Sequence, residues 1–186
     1  MKKPLSTQEG LSYFCPEQEG KGRVTYNKST QLFSYETYFL EEKKSWGMSV
    51  YFPLHGEEDI EISLENSNAV KGSFINSMAG SGRKQKREAA FFLQNLSYVM
   101  RAINNANKYC DTINGVGQCV VEKAVFDYVQ DDKKISLTRI LGDKSLVLDM
   151  AQLKDGKSYK TTIKYLAMQS EKTPIISLEL FTSNCL

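Results

Sequence analysis

Between Lys84 and Cys110 the apolar residues fall at Ala89, Phe92, Leu93, Leu96, Val99, Met100, Ile103, Ala106 and Cys110. This is the i, i+3, i+4, i+7 ladder of an amphipathic helix of about seven turns. Gln94, Asn95, Arg101, Asn104, Asn105 and Lys108 make the opposite, polar face. Ser81 or Gly82 is placed to cap its start, after the flexible lead-in Gly80-Ser81-Gly82. A stripe of Phe, Leu, Val, Met and Ile has to be covered, and an antiparallel sheet face is the economical cover.

The rest of the chain alternates with period 2. Before the helix the strand-like runs are Arg23–Lys28, Gln31–Leu40, Trp46–Leu54, Asp59–Glu65 and 70–75. After it come Gln118–Val129, Lys134–Leu141, Ser145–Met150, Tyr159–Met168 and Pro174–Thr182. Turn residues separate them about every dozen positions, the signature of hairpins, with Asp155-Gly156 the strongest single turn signal. Ile60, Ile62 and Leu64 oppose Glu61, Ser63 and Glu65, giving one buried and one wet face. The expectation is an α+β fold: antiparallel hairpin meanders in one curved sheet or two packed sheets, with the 84–110 helix on an apolar face. A closed barrel plugged or flanked by the helix is the alternative.

At 186 residues the chain suits one domain and can bury roughly 70% of its unfolded surface. Residues 1–186 carry no linker, repeat or low-complexity tract, and 1–10 are expected to be disordered or vector-derived. Hydrophobic residues make up 41% and charged residues 25%, ordinary globular usage. No apolar run reaches the ~18 residues of a spanning helix. A net charge of +2 gives no global mark of a nucleic-acid or membrane binder.

Of the four cysteines, Cys110 and Cys119 have the clearest local logic. Asn114-Gly115 and Gly117 between them signal a tight reversal, so a bridge would tie the helix end to a following strand. Cys15 and Cys185 would then pair by elimination, although four cysteines allow three connectivities. Bridged cysteines imply an extracytoplasmic protein (periplasmic, envelope or secreted), and reduced ones a cytoplasmic protein. The start Met-Lys-Lys-Pro-Leu-Ser has no apolar h-region, so a secretory signal would have been removed from this chain.

Four basic residues, Arg83, Lys84, Lys86 and Arg87, cluster where the long helix begins. Cations there oppose the helix dipole by roughly a few tenths of a kcal/mol each, so an anionic partner or solubility keeps them in place. The Walker pattern is absent. His55 is the single histidine, with Glu57 or Asp59 as the only nearby orienter and no nucleophile motif beside it. The acidic run Glu57, Glu58, Asp59, Glu61 and Glu65 does not match a calcium loop, and no Cys-x-x-Cys supports zinc.

No cofactor or metal is called for. The expected function is a non-enzymatic binding or interaction protein, acting through hairpin loops and the basic helix entrance on another protein. The alternatives are a carrier of a small apolar ligand between helix and sheet, and a hydrolase-type enzyme using His55.

Overall fold

The computed structural model describes residues 17–54, 56–65, 70–72, 82–153, 159–167 and 173–185. Twelve strands form one antiparallel sheet in the order β5-β4-β3-β2-β1-β12-β11-β10-β9-β8-β7-β6. The first five are β1 (Gln18–Tyr26), β2 (Ser29–Leu40), β3 (Ser45–Phe52), β4 (Gly56–Ser63) and β5 (Val70–Gly72). The remaining seven are β6 (Cys110–Ile113), β7 (Val116–Val121), β8 (Ala124–Gln130), β9 (Lys134–Leu141), β10 (Lys144–Gln152), β11 (Tyr159–Ala167) and β12 (Ile176–Cys185). Each half is a meander, and the last strand returns to the middle to pair with the first: Val24 faces Leu178 and Tyr26 faces Ile176.

The helices lie between β5 and β6, the two outermost strands. They are α1 (Arg83–Asn104) and the short α2 (Ala106–Tyr109). Chain order therefore carries α1 from one edge of the sheet to the other across its concave face. Inward side chains of the strands, among them Tyr35, Met48, Ile60, Phe126, Leu137, Leu148 and Ile163, form a single core with Phe92, Leu96 and Val99 of the helix. The expected α+β arrangement holds, as one sheet rather than two. Among the described residues the sheet ends at β5 and β6, and these two strands do not pair to close a barrel.

Local chemistry explains the register. Asn114 (φ 54°) and Gly115 (φ 77°) are both left-handed, as a two-residue hairpin that matches strand twist requires. The β1–β12 ladder slips by one residue between Glu19 and Gly20. A Cβ at Gly20 would stand 2.1 Å from the Phe181 carbonyl oxygen, so only glycine lets the strands close there. Inside the sheet, the Gln18 side-chain oxygen accepts hydrogen bonds from Tyr159 Oη (3.0 Å) and Thr182 Oγ1 (2.5 Å). Tyr35 Oη and Thr182 Oγ1 are 2.8 Å apart, which ties β1, β2, β11 and β12 together. Burial pushes the Tyr35 phenol up to about 12, against the lowering effect of Thr182.

Several sequence expectations need correction. The 84–110 helix ends at Asn104: Asn105 leaves helical geometry (φ −142°, ψ 63°), α2 adds one turn, and Cys110 already belongs to β6. The single run Gln118–Val129 is two strands, reversed at Glu122, whose φ is +55°. Residues 117–121 before it and 124–126 after it carry no charge, which hides a turn built on Glu-Lys rather than on Gly or Pro. Asn95 and Arg101, assigned to the wet face of the helix, are buried at 0% and 5% exposure. The Asp155-Gly156 turn lies outside the described residues.

Both buried polar residues have partners. Asn95 Nδ2 donates to the Phe91 carbonyl (2.9 Å), and Asn95 Oδ1 accepts from Arg139 Nη1 (2.6 Å). Arg101 Nη1 donates to Glu122 Oε1 (3.0 Å), and its guanidinium lies 5.5 Å from the Tyr109 ring centroid. Burial would lower the Arg101 pKa, but hydrogen bonds to Glu122 and Tyr109 outweigh it and raise it.

Candidate functional site

Arg83, Lys84 and Arg87 open α1, and Glu88 and Phe91 follow at the i+4 positions of Lys84 and Arg87. Helical spacing brings these five side chains onto one stripe. Across from them stand Lys144, the first residue of β10, and Tyr165 of β11. Together the seven line a cleft of about 580 Å³ that is open to solvent. Sheet register sets its far wall: Tyr165 lies beside Leu146, which lies beside Arg139, so β11, β10 and β9 present these residues in one inward row.

The floor is aromatic and the rim is cationic. The Phe91 and Tyr165 rings sit 5.1 Å apart at 39°. Lys144 Nζ is 5.9 Å from the Tyr165 centroid, within cation–π range. Glu88 is the one carboxylate among the seven, and its Oε2 accepts a 2.9 Å hydrogen bond from Tyr26 Oη. Burial and the Glu88 carboxylate push the Tyr26 phenol up to about 12, so it stays a donor at any physiological pH. Four cations thus face one carboxylate that is already engaged.

The salt bridges between described residues join Arg23 and Lys160 to Glu179, Arg101 to Glu122, and Lys134 to Asp149. None of them uses a cation of the cleft. The helix makes the arrangement locally unfavourable: Gly82 supplies no side-chain cap, and the first turn has no acidic residue. Arg83, Lys84 and Arg87 therefore sit at the positive end of the helix dipole, with Glu88 one turn on and no acid in the first turn.

Three of the four basic residues expected to form a contact surface line this cleft. Lys86 points off the stripe and does not. Sequence reading missed Lys144, Tyr165 and Phe91. Phe91 carried a usable signal, since it follows Arg87 at i+4 on a helix already recognised. Lys144 and Tyr165 gave none, because only strand register brings them to the helix start. His55 lies outside the described residues. Its candidate orienters Glu57 and Asp59 are exposed on β4, where Asp59 Oδ1 accepts from Ser49 Oγ at 2.6 Å. No group of three or more metal-ligating side chains occurs among the described residues.

Cys110 and Cys119 are disulfide-bonded and directly opposite in the β6–β7 ladder. Cys15 lies outside the described residues, and Cys185 is the last residue of β12. Among the described residues, no helix is long and apolar enough to cross a membrane. The convex face of the β6–β9 region carries a second unusual feature, exposed branched aliphatics at Ile113, Val116, Val120, Val125, Val129 and Ile140. Val120 pairs with Val125 and Val116 with Val129, so each contributes cross-strand contact even where it is wet.

No protein-family model matches this sequence, and no curated protein matches it either.

Proposed function

We propose that the protein is a non-enzymatic binding protein of the cell envelope or secreted space that holds an acidic partner protein in the cleft at the start of α1. The observation carrying this reading is the set of four cations, Arg83, Lys84, Arg87 and Lys144, around a 580 Å³ cleft and outside every salt bridge of the described residues. The Cys110–Cys119 disulfide supports an oxidising compartment.

One space between helix and sheet among the described residues is too small to favour the carrier of an apolar ligand. The space among Trp46, Met48, Leu96, Met100, Leu148 and Leu178 is about 20 Å³. A single water needs roughly 10–15 Å³, so this space is far too small for a lipid. The hydrolase reading has no geometry to support it, since His55 lies outside the described residues.

Retention of poly-glutamate on the immobilised protein tests the proposal. The comparison is between the wild type, a variant with glutamate at 83, 84, 87 and 144, and a control reversing the exposed Lys21, Lys43, Lys123 and Lys164. Wild type and control should bind in a salt-sensitive manner and the cleft variant should not. Equal binding by both variants, or none by the wild type, would reject the cleft as an acid-binding site.

A further inference from the structure

The charge of the cleft explains why an acidic partner would enter, but not why its floor is aromatic. Phe91 and Tyr165 pack against each other at 5.1 Å, so no flat ring fits between them. Tyr165 is buried, so an incoming ring can meet only the exposed part of Phe91, in the offset or edge-on contacts that aromatic groups prefer. Arg83 and Arg87 follow one another about one helical turn apart, and Lys144 faces them from the sheet. Four positive charges beside one carboxylate already engaged by Tyr26 can take up more than one carboxylate of a partner. A volume of about 580 Å³ falls within the roughly 300–1,000 Å³ of sites for drug-sized ligands, which is the scale of a few peptide residues.

We infer that the occupant is a short acidic segment of a partner protein that carries an aromatic side chain between its carboxylates. The ring lies on Phe91, which Tyr165 backs from the core, while the carboxylates reach Arg83, Lys84, Arg87 and Lys144. This inference rests on the reading above, that the cleft binds an acidic partner, and it adds what that partner must contain.

Fluorescence anisotropy with the full chain tests it, using three labelled, end-blocked pentapeptides. One has phenylalanine between two pairs of glutamates, one has alanine there, and one has phenylalanine between two pairs of lysines. A single-stranded oligothymidylate is the fourth probe. The acidic phenylalanine peptide should bind about 5–10-fold more tightly than the acidic alanine peptide, the increment of one aromatic contact. The lysine peptide should not bind. Phe91→Leu, which keeps an apolar group and is checked for folding by its thermal melt, should erase the difference between the two acidic peptides. Lys144→Gln should weaken both alike.

Equal binding of the two acidic peptides to the wild type would overturn this inference and leave the acidic-partner reading standing. Failure of both acidic peptides would remove both. Tighter binding of the oligothymidylate than of either acidic peptide would overturn the inference in favour of a nucleic-acid site.

Discussion

Between Arg83 and Ala90, helix α1 buries only Ala89, whereas from Asn95 to Ile103 it buries every residue. The conformation is the same, and what differs is the surroundings. Nine consecutive buried residues amount to about two and a half turns with no solvent-facing side. A helix on a flat sheet would keep a wet stripe, so the sheet must curve around this one. The first two turns emerge from that wrap, and there the chain places four cations and no acid in the first turn. One element thus serves as the pillar of the core at its middle and as the wall of a binding cleft at its start. Stability and binding should therefore be separable along a single helix.

The strongest way to break that comparison is to cut the pillar. Phe92 is completely buried, and Phe92→Ala should cost about 3–5 kcal/mol in urea unfolding, as large-to-small changes at sealed sites do. Arg87→Ala, little more than one turn earlier and exposed, should change stability by less than about 0.5 kcal/mol. A comparable cost at the two positions would refute the division.

The disulfide comes next. It joins the strand that leaves the helix, β6, to β7, and it closes a short loop. Replacing Cys110 and Cys119 together by alanine should cost about 2–3 kcal/mol. Adding a reductant to the wild-type protein should lower the urea midpoint in the same sense, and by more than it lowers that of the double variant.

Arg101 sharpens the contrast between a buried and an exposed cation on one helix. Arg101→Ala removes the partner of Glu122 and the packing of the arginine stem. Glu122 is partly exposed and can be rehydrated, so the expected loss is about 1–2 kcal/mol rather than the roughly 3–5 of a sealed pair. Arg101→Met, which keeps the stem, should recover about half of it.

The pH profile reads the sheet in the same way. Burial would raise the Glu179 pKa, but Lys160 and Arg23 hold it below the usual carboxylate value. Its contribution to stability is therefore complete above about pH 4.5 and is lost as the pH falls below that. Tyr35 is shifted the other way, so its contribution is complete below about pH 10 and is lost as the pH climbs towards 12. Glu179→Gln should flatten the acid limb of a thermal-melt profile and leave the alkaline limb in place.

The smallest effect on stability belongs to the cleft. Arg83→Glu with Lys84→Glu places acids at the positive end of the helix dipole and should stabilise the fold by about 0.3–1 kcal/mol. The same pair should weaken poly-glutamate binding more than any two reversals outside the cleft. A variant that melts later and binds less would show that these cations are kept for a ligand and not for the fold.

Much of the architecture was legible because periodicity is a local signal. The strand limits of Lys134–Leu141 coincide with β9, and Asn114-Gly115 announced the β6–β7 hairpin through the only backbone geometry that such a pair favours. What stayed hidden was non-local. Glu122-Lys123 turns a chain that carries no turn residue, because the β7–β8 ladder forces Glu122 into the left-handed region. Asn95 reads as solvent-facing until Arg139, 44 residues away, is seen to need its amide oxygen. Of the cleft, the sequence showed one wall.

The alternating strands, the one long helix between two meanders, the tight reversal between Cys110 and Cys119 and the cationic start of the helix are all legible in the sequence alone. Each of these depends on residues within a few positions of one another. Tertiary structure decided that the first and last strands meet, that the sheet wraps the helix until its polar face is buried, and that Lys144 and Tyr165 arrive opposite Arg83 and Arg87. Those outcomes depend on the register between strands far apart in the chain, which is selected by the packing of all twelve strands around a common core and has no signature in any short stretch of sequence.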